Sequence, residues 1–355
     1  MQGAGGRLQE SWCPCHSSPF TFHFSLIKYK YPMNKTKQHK SGLVITFCLA
    51  ALLMAYLSYA LPRFLPGDFV TATYGASQVT LTAEQETALR DYYGQDKGFG
   101  HYLWRVVRFD WGYSHVFETP VSALFFSALP WTILLMGSAH VISMLMGFVA
   151  GVEAAWRRNS PFEKGMVGGM TVLEGIPEIC SGVILLFVFA LQLQWFPAAG
   201  AETAYAEKNV LAHVVDVGHH LALPLCTLVL AYFPGNFLLT RNSMMMVIMA
   251  DYIKTARAKG LPPLRIRYVH AARNALLPVV TRFGMRLAFM ITGALVVEKI
   301  NSYPGLGTLL YNAIQARDLP VIQAVVLMSS VIILAIFFAL EFVYRIIDPR
   351  IQYAR

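Results

Sequence analysis

Residues 250–278 read ADYIKTARAKGLPPLRIRYVHAARNALLP and lie between two apolar runs, each long enough to approach a bilayer crossing. Lys254, Arg257, Lys259, Arg265, Arg267 and Arg273, with Arg241 just upstream, face one acid, Asp251. A loop so basic belongs on the cytoplasmic side of a membrane. Asp251 to Gly260 has a helical composition, and Gly260-Leu261-Pro262-Pro263 breaks it, because proline supplies no N–H and clashes with the preceding turn. The stretch predicts a short helix ending in a turn, suited to docking a soluble partner. A plain solvated loop would report topology alone.

Composition points the same way. The 355 residues are 55% hydrophobic and 14% charged, against roughly 25% charged in soluble domains. The net charge of +9 is not read as a nucleic-acid footprint, because the basic residues sit in loops beside apolar spans. Cys48, Cys180 and Cys226 fall in apolar runs as small hydrophobes, and Cys13-Pro14-Cys15 lacks the ligands of a metal site.

Apolar runs near 43–62, 129–153, 168–193, 221–241, 276–298 and 320–346 predict an all-α membrane protein with six transmembrane helices. Four basic sites agree on one orientation: Lys35, Lys37 and Lys40; Arg157, Arg158 and Lys164; the 241–275 cluster; and Arg345 with Arg350. Both termini are then cytoplasmic. The expected organisation is a leader at 1–32, a basic N-terminus and first helix at 33–65, an external loop region at 66–122, and a core at 123–352 carrying the cytoplasmic loop 241–275. Residues 1–32 are polar and without helical period, and Met33 opens MNKTKQHKSG. The leader reads either as an upstream extension of the working start or as a disordered tail.

The motifs now resemble a family. Arg241-Asn242-Ser243, Asp251-Tyr252, Thr255-Ala256-Arg257-Ala258-Lys259-Gly260, His270, Arg273-Asn274-Ala275-Leu276 and Pro278 look like the "EAA" loop of ABC importer permeases. The variant is that of the dipeptide/oligopeptide/nickel branch. Val297-Glu298, Tyr303-Pro304-Gly305-Leu306-Gly307, Arg317-Asp318-Leu319-Pro320 and Asp348-Pro349-Arg350 follow in order. Upstream, Leu65-Pro66-Gly67-Asp68, Tyr93-Gly94-Gln95-Asp96-Lys97 and Asp110-Trp111-Gly112-Tyr113-Ser114 match too. The resemblance implies a type I importer permease of the bacterial or archaeal inner membrane, most naturally for di- or oligopeptides, with nickel or a metal chelate as the alternative. It implies three kinds of partner: a second permease, cytoplasmic ATPase subunits that hold ATP and magnesium, and an external solute-binding protein. Asp251, Tyr252, Ala256, Arg257, Ala258, Lys259 and Gly260 would form the lever that meets the ATPase, with small Ala256 and Ala258 allowing close approach. No G-x-x-x-x-G-K-[ST] phosphate loop occurs, so the chain is read as a transport subunit and not an enzyme.

Candidate pathway residues are the intramembrane charges. Glu174 and Glu178 are expected four apart on one face of the third span, and Arg282 and Arg286 four apart in the fifth. They read as ion pairs, as pathway-lining groups, or as side chains snorkelling to the lipid edge. Glu298, Pro304, Gly305 and Gly307 read as an external gate or as a turn before a short helix. His213, Asp216, His219 and His220 could present nitrogens and a carboxylate to Ni²⁺ or Zn²⁺, or be ordinary interfacial residues. A rival reading is an ATP-independent secondary transporter using Glu174, Glu178 and His140 as a proton relay.

Overall fold

A computed structural model describes residues 40–64, 70, 82–93, 98–203, 209–290 and 295–347 of the chain. The leader, Met33 to Lys37, Leu65-Pro66-Gly67-Asp68, Gly94 to Lys97 of the Tyr93–Lys97 motif and Asp348-Pro349-Arg350 lie outside them.

The architecture is helical. In chain order the helices are α1 (Lys40–Ala60), α2 (Ala83–Tyr93), α3 (Gly98–Val107), α4 (Val121–Trp156), α5 (Pro161–Glu174), α6 (Glu178–Leu185), α7 (Val210–Ile248), α8 (Asp251–Ala258), α9 (Arg273–Ala288), α10 (Leu295–Ile300), α11 (Leu306–Gln315) and α12 (Leu319–Ile347). A two-residue hairpin, Tyr113–Ser114 against Thr119–Pro120, leads into α4. Pro120 ends the hairpin, and its fixed φ of −56° starts the helix. The hairpin is tied to the far end of the chain: Ser114 Oγ donates to the Asp318 carboxylate at 2.5 Å, and Val116 N donates to the same oxygen at 3.4 Å. Two motifs some 200 residues apart in sequence are thus one contact.

Among the described residues, four helical segments are long and apolar enough to cross a bilayer: Ile45–Phe64, Val121–Trp156, Val210–Ile248 and Leu319–Leu340. Two expectations need correction. The third predicted span is not one helix. It breaks at Gly175-Ile176-Pro177, and Pro161–Glu174 and Glu178–Gln192 lie 92° apart. Pro177 cannot donate into the ladder and drives Ile176 out of the α region. The fifth predicted span is divided too. Arg273–Ala288 is 16 residues, with Arg282 and Arg286 inside it, and Leu295–Ile300 follows beyond the undescribed residues 291–294.

The centre of the fold is the crossing of α4 with α7. Two glycines four apart on α4 let the backbones meet. A Cβ at Gly147 would lie 2.6 Å from Asn236 Cβ, and one at Gly151 would lie 2.7 Å from Thr240 Cβ and 2.8 Å from the Phe237 carbonyl oxygen. Small residues spaced this way are how membrane helices approach closely without a hydrophobic drive between them. Asn236 Nδ2 donates to Ser143 Oγ across the same crossing at 3.3 Å. One buried cluster joins the α4 N-terminal half (Phe125, Leu135, Met136) to Leu228, Tyr303, Leu306 and Val325.

Candidate functional site

The basic stretch folds as the short helix α8 followed by a left-handed Gly260, φ +72°, and a proline-started turn at Pro263–Arg265. Glycine adopts that φ at no steric cost. Ile253 and Ala256, three apart, face inward and join Val152, Ala155, Met244, Ile266, Ala271, Ala272 and Ala275 in a second buried cluster. Ala256 is only 6% exposed. Its small size serves packing against its own chain and offers no surface to another protein, which corrects the expectation for that residue. Asp251, Tyr252, Arg257, Ala258, Lys259 and Gly260 all face outward.

Groups that the sequence did not single out fasten the segment after this helix, and one side chain of the helix itself, to the end of α4. Glu153 accepts from Arg267 Nη1 at 2.5 Å and from the Tyr268 hydroxyl at 2.7 Å. Burial and the neighbouring Glu153 carboxylate push the Tyr268 phenol above its usual range. Trp156 lies under two guanidinium groups, Arg257 at 5.4 Å and Arg267 at 5.0 Å, at the separation of cation–π pairs. The signal available was an acid and a tryptophan three apart where an apolar run meets a basic loop. A second tie joins neighbouring elements: Arg241 on α7 pairs with Glu163 on α5, its Nε donating at 2.9 Å. Glu163 also caps the turn before it, accepting from Asn159 N at 2.6 Å.

The four intramembrane charges are not arranged as two helical faces. The break at Gly175–Pro177 separates Glu174 from Glu178, so the i,i+4 argument fails for the acids. Glu174 at the end of α5 lies 3.9 Å from Arg282. Arg282 also donates to the Gly235 carbonyl at 3.1 Å. Gly235 leaves room at this meeting of three elements: a Cβ there would sit 2.3 Å from Arg282 Nη2 and 2.7 Å from Glu174 Oε1, so those side-chain ends would have to move. Arg286 sits 4.8 Å over the ring of Tyr232, which stacks on His140 with centroids 4.8 Å apart. Glu178 and Arg286 form no ion pair with each other.

Glu298 is fully buried. Its carboxylate accepts from Thr132 Oγ1 at 2.6 Å, from Gly307 N at 2.8 Å and from Thr308 N at 3.1 Å. Thr132 Oγ1 in turn accepts from Leu306 N at 2.8 Å. Together they satisfy the free N–H groups at the start of α11, which no capping side chain of its own covers. Pro304 is exposed, whereas Gly305 and Gly307 are buried against this carboxylate.

The histidine group does not converge. His213, Asp216, His219 and His220 lie on the first turns of α7, which begins at Val210, eleven residues before the predicted span. Asp216 accepts from Thr203 N and Oγ1, each at 2.7 Å. His213 lies 3.4 Å from Glu202, and His219 Nε2 meets the Trp195 carbonyl at 2.8 Å. His220 Nδ1 meets the backbone oxygen of Asp216 at 3.0 Å. Among the described residues no group of three or more His, Cys, Asp or Glu side chains is placed to hold a metal ion. Beyond the 3.7 Å approach of His220 Nδ1 to Asp216 Oδ1, these side chains take separate partners, which the spacing could not show.

Comparison with known proteins supplies the remaining finding. Residues 143–353 match the family model described as "Binding-protein-dependent transport system inner membrane component". The chain is similar to the oligopeptide transport system permease protein AppB of Bacillus subtilis (strain 168), 36% identical over 301 residues, 84% of this chain and 93% of the relative. It is similar to the di/tripeptide transport system permease protein DppB of Pseudomonas aeruginosa (strain UCBPP-PA14), 32% identical over 319 residues, 84% and 94% of the two chains. It is also similar to the glutathione transport system permease protein GsiC of Salmonella choleraesuis (strain SC-B67), 32% identical over 322 residues, 90% and 99% of the two.

Proposed function

Because the chain belongs to the family of binding-protein-dependent transport inner-membrane components, we propose that it is the permease subunit of an ATP-driven importer of di- or oligopeptides. The relatives named above for oligopeptides, di/tripeptides and glutathione support that substrate class. In this reading the chain crosses the inner membrane six times, with both termini in the cytoplasm. The broken 161–192 segment and the divided 273–300 segment are the two irregular crossings. A homologous permease completes the pathway, and an external binding protein delivers the solute.

The observation that carries the reading is α8. It is a short helix with its apolar side fixed on α4 and α7, and its charged side turned outward. Arg257, Lys259 and exposed Tyr252 are the groups through which a cytoplasmic ATPase would grip it. Trp156, beneath Arg257, carries the displacement of α8 into α4, and Glu153 holds the following segment Ile266–Ala272 to the same helix end. ATP favours the closed ATPase dimer, and the permease follows only as far as its two states differ in their contacts to that dimer.

A cysteine at Lys259 tests this in membranes holding the whole importer. It is expected to cross-link to the ATPase subunit, with an efficiency that changes when ATP is added. Labelling of that cysteine by a soluble maleimide, with no adduct to the ATPase in either state, would refute the docking.

A further inference from the structure

The proposal concerns what meets the transported solute, and it rests on the importer reading above. An open groove of about 570 Å³ is lined by Leu239, Pro278, Arg282, Met285, Arg286 and Phe289. Its wall is apolar except for two guanidinium groups. They are not equivalent. Arg282 is committed within the subunit, to the Gly235 carbonyl and to Glu174. Arg286 rests on the Tyr232 ring and, among the described residues, makes no hydrogen bond or ion pair.

A guanidinium at this depth is costly unless it is paired or faces water. Arg286 lines the open groove, and the Glu178 carboxylate lies within reach of its field but not in ion-pair contact with it. The planar fork of Arg286 matches a carboxylate with two parallel N–H···O bonds.

We propose that Arg286, backed by Arg282, is a transit site for the carboxylate of the imported solute, with Leu239, Pro278, Met285 and Phe289 against its apolar part. Tyr232 positions the guanidinium by supporting it from beneath. The site favours solutes with an unblocked acidic terminus.

The test uses the complete importer in proteoliposomes, with its binding protein and a labelled tripeptide carrying free termini. Arg286→Cys is expected to assemble, to keep binding-protein-stimulated ATP hydrolysis, and to lose about tenfold or more of its uptake, the scale of one charge-assisted hydrogen bond. Modification with aminoethyl methanethiosulfonate, which forms a mixed disulfide with the cysteine and releases methanesulfinate, is expected to restore most of that uptake, and the sulfonatoethyl reagent to restore none. Wild type, which carries five cysteines, Cys13, Cys15, Cys48, Cys180 and Cys226, is taken through both reagents as the control. Wild-type-level uptake by Arg286→Cys would overturn the proposal and leave the arginine a lipid-edge group. Equal rescue by both reagents would overturn it too. Loss of the assembled complex, or of ATP hydrolysis in step with uptake, would assign Arg286 to a subunit contact instead. Absence of tripeptide uptake in wild type would count against the importer reading and not against this site alone.

Discussion

The buried carboxylate of Glu298 gives the most exacting test of the fold. Glu298→Ala strands the N–H groups of Gly307 and Thr308, while the Thr132 hydroxyl can rotate elsewhere. At about 1–3 kcal/mol for each unsatisfied buried donor, the loss is about 2–6 kcal/mol. Gly305 supplies an independent probe. Its φ of −91° suits alanine, so any cost of Gly305→Ala is steric. The added Cβ would lie 2.1 Å from Glu298 Oε1 and 2.2 Å from its Cδ, an overpacking worth about 1–3 kcal/mol. With Glu298 already truncated, that obstacle is gone. The double variant should then be no less stable than Glu298→Ala alone, a coupling of about 1–3 kcal/mol between the two positions. The measurement is the fraction of detergent-solubilised permease that stays monodisperse after stepped heating, for both single variants and the double. Additive losses, or a Glu298→Ala protein as robust as wild type, would show that this carboxylate does not hold the start of α11.

Three further outcomes are expected. Gly151→Leu forces α4 from α7, where not even a Cβ fits, and should abolish accumulation of the subunit, while Gly137→Leu, with open space around it, should be tolerated; immunoblots of membranes decide between them. Gly260→Ala meets no neighbour but must hold φ +72°, at a cost of about 1 kcal/mol; uptake per ATP hydrolysed should fall while membrane level stays constant, and an unchanged ratio would separate the turn from coupling. Glu153→Gln weakens the charge-assisted bond from Arg267 by about 1–2 kcal/mol; it should raise proteolysis within 259–268 in membrane vesicles, and equal digestion of wild type and variant would remove Glu153 from that role.

Much of this was legible from residues alone. Apolar runs gave the places of α1, α4, α7 and α12, because burial in lipid or protein demands them. Asp251 and Gly260-Leu261-Pro262-Pro263 bracketed α8 because acid at a helix start and Gly/Pro past its end are local physics. Ile253 and Ala256 were also readable as an inward face by their spacing of three, yet the small size of Ala256 suggested docking. The break at Gly175-Ile176-Pro177 was hidden by averaging: its flanks are apolar enough that a window over 168–193 passes as one span. Glu298 was out of reach, since its partners are two backbone N–H groups and a hydroxyl 166 positions away. The ion pair of Glu174 with Arg282 is one of the readings these charges allowed, whereas the break that parts Glu174 from Glu178 is nothing that hydropathy records.

Helix α4 carries one further consequence. Thr132, near its start, belongs to the Glu298 network, and Glu153, near its end, holds Arg267 and Tyr268 in the segment after α8. The only proline within the helix is Pro130, which precedes both. Between them runs an unbroken rod about 31 Å long, at ~1.5 Å per residue. Such a rod cannot absorb a push by bending locally. A tilt of about 5° about one end carries the other through roughly 3 Å, about the length of one hydrogen bond. The turn at Gly305–Gly307 and the segment after α8 are thereby joined to one stiff helix, so that a pivot at either of them displaces the other by about the length of a hydrogen bond.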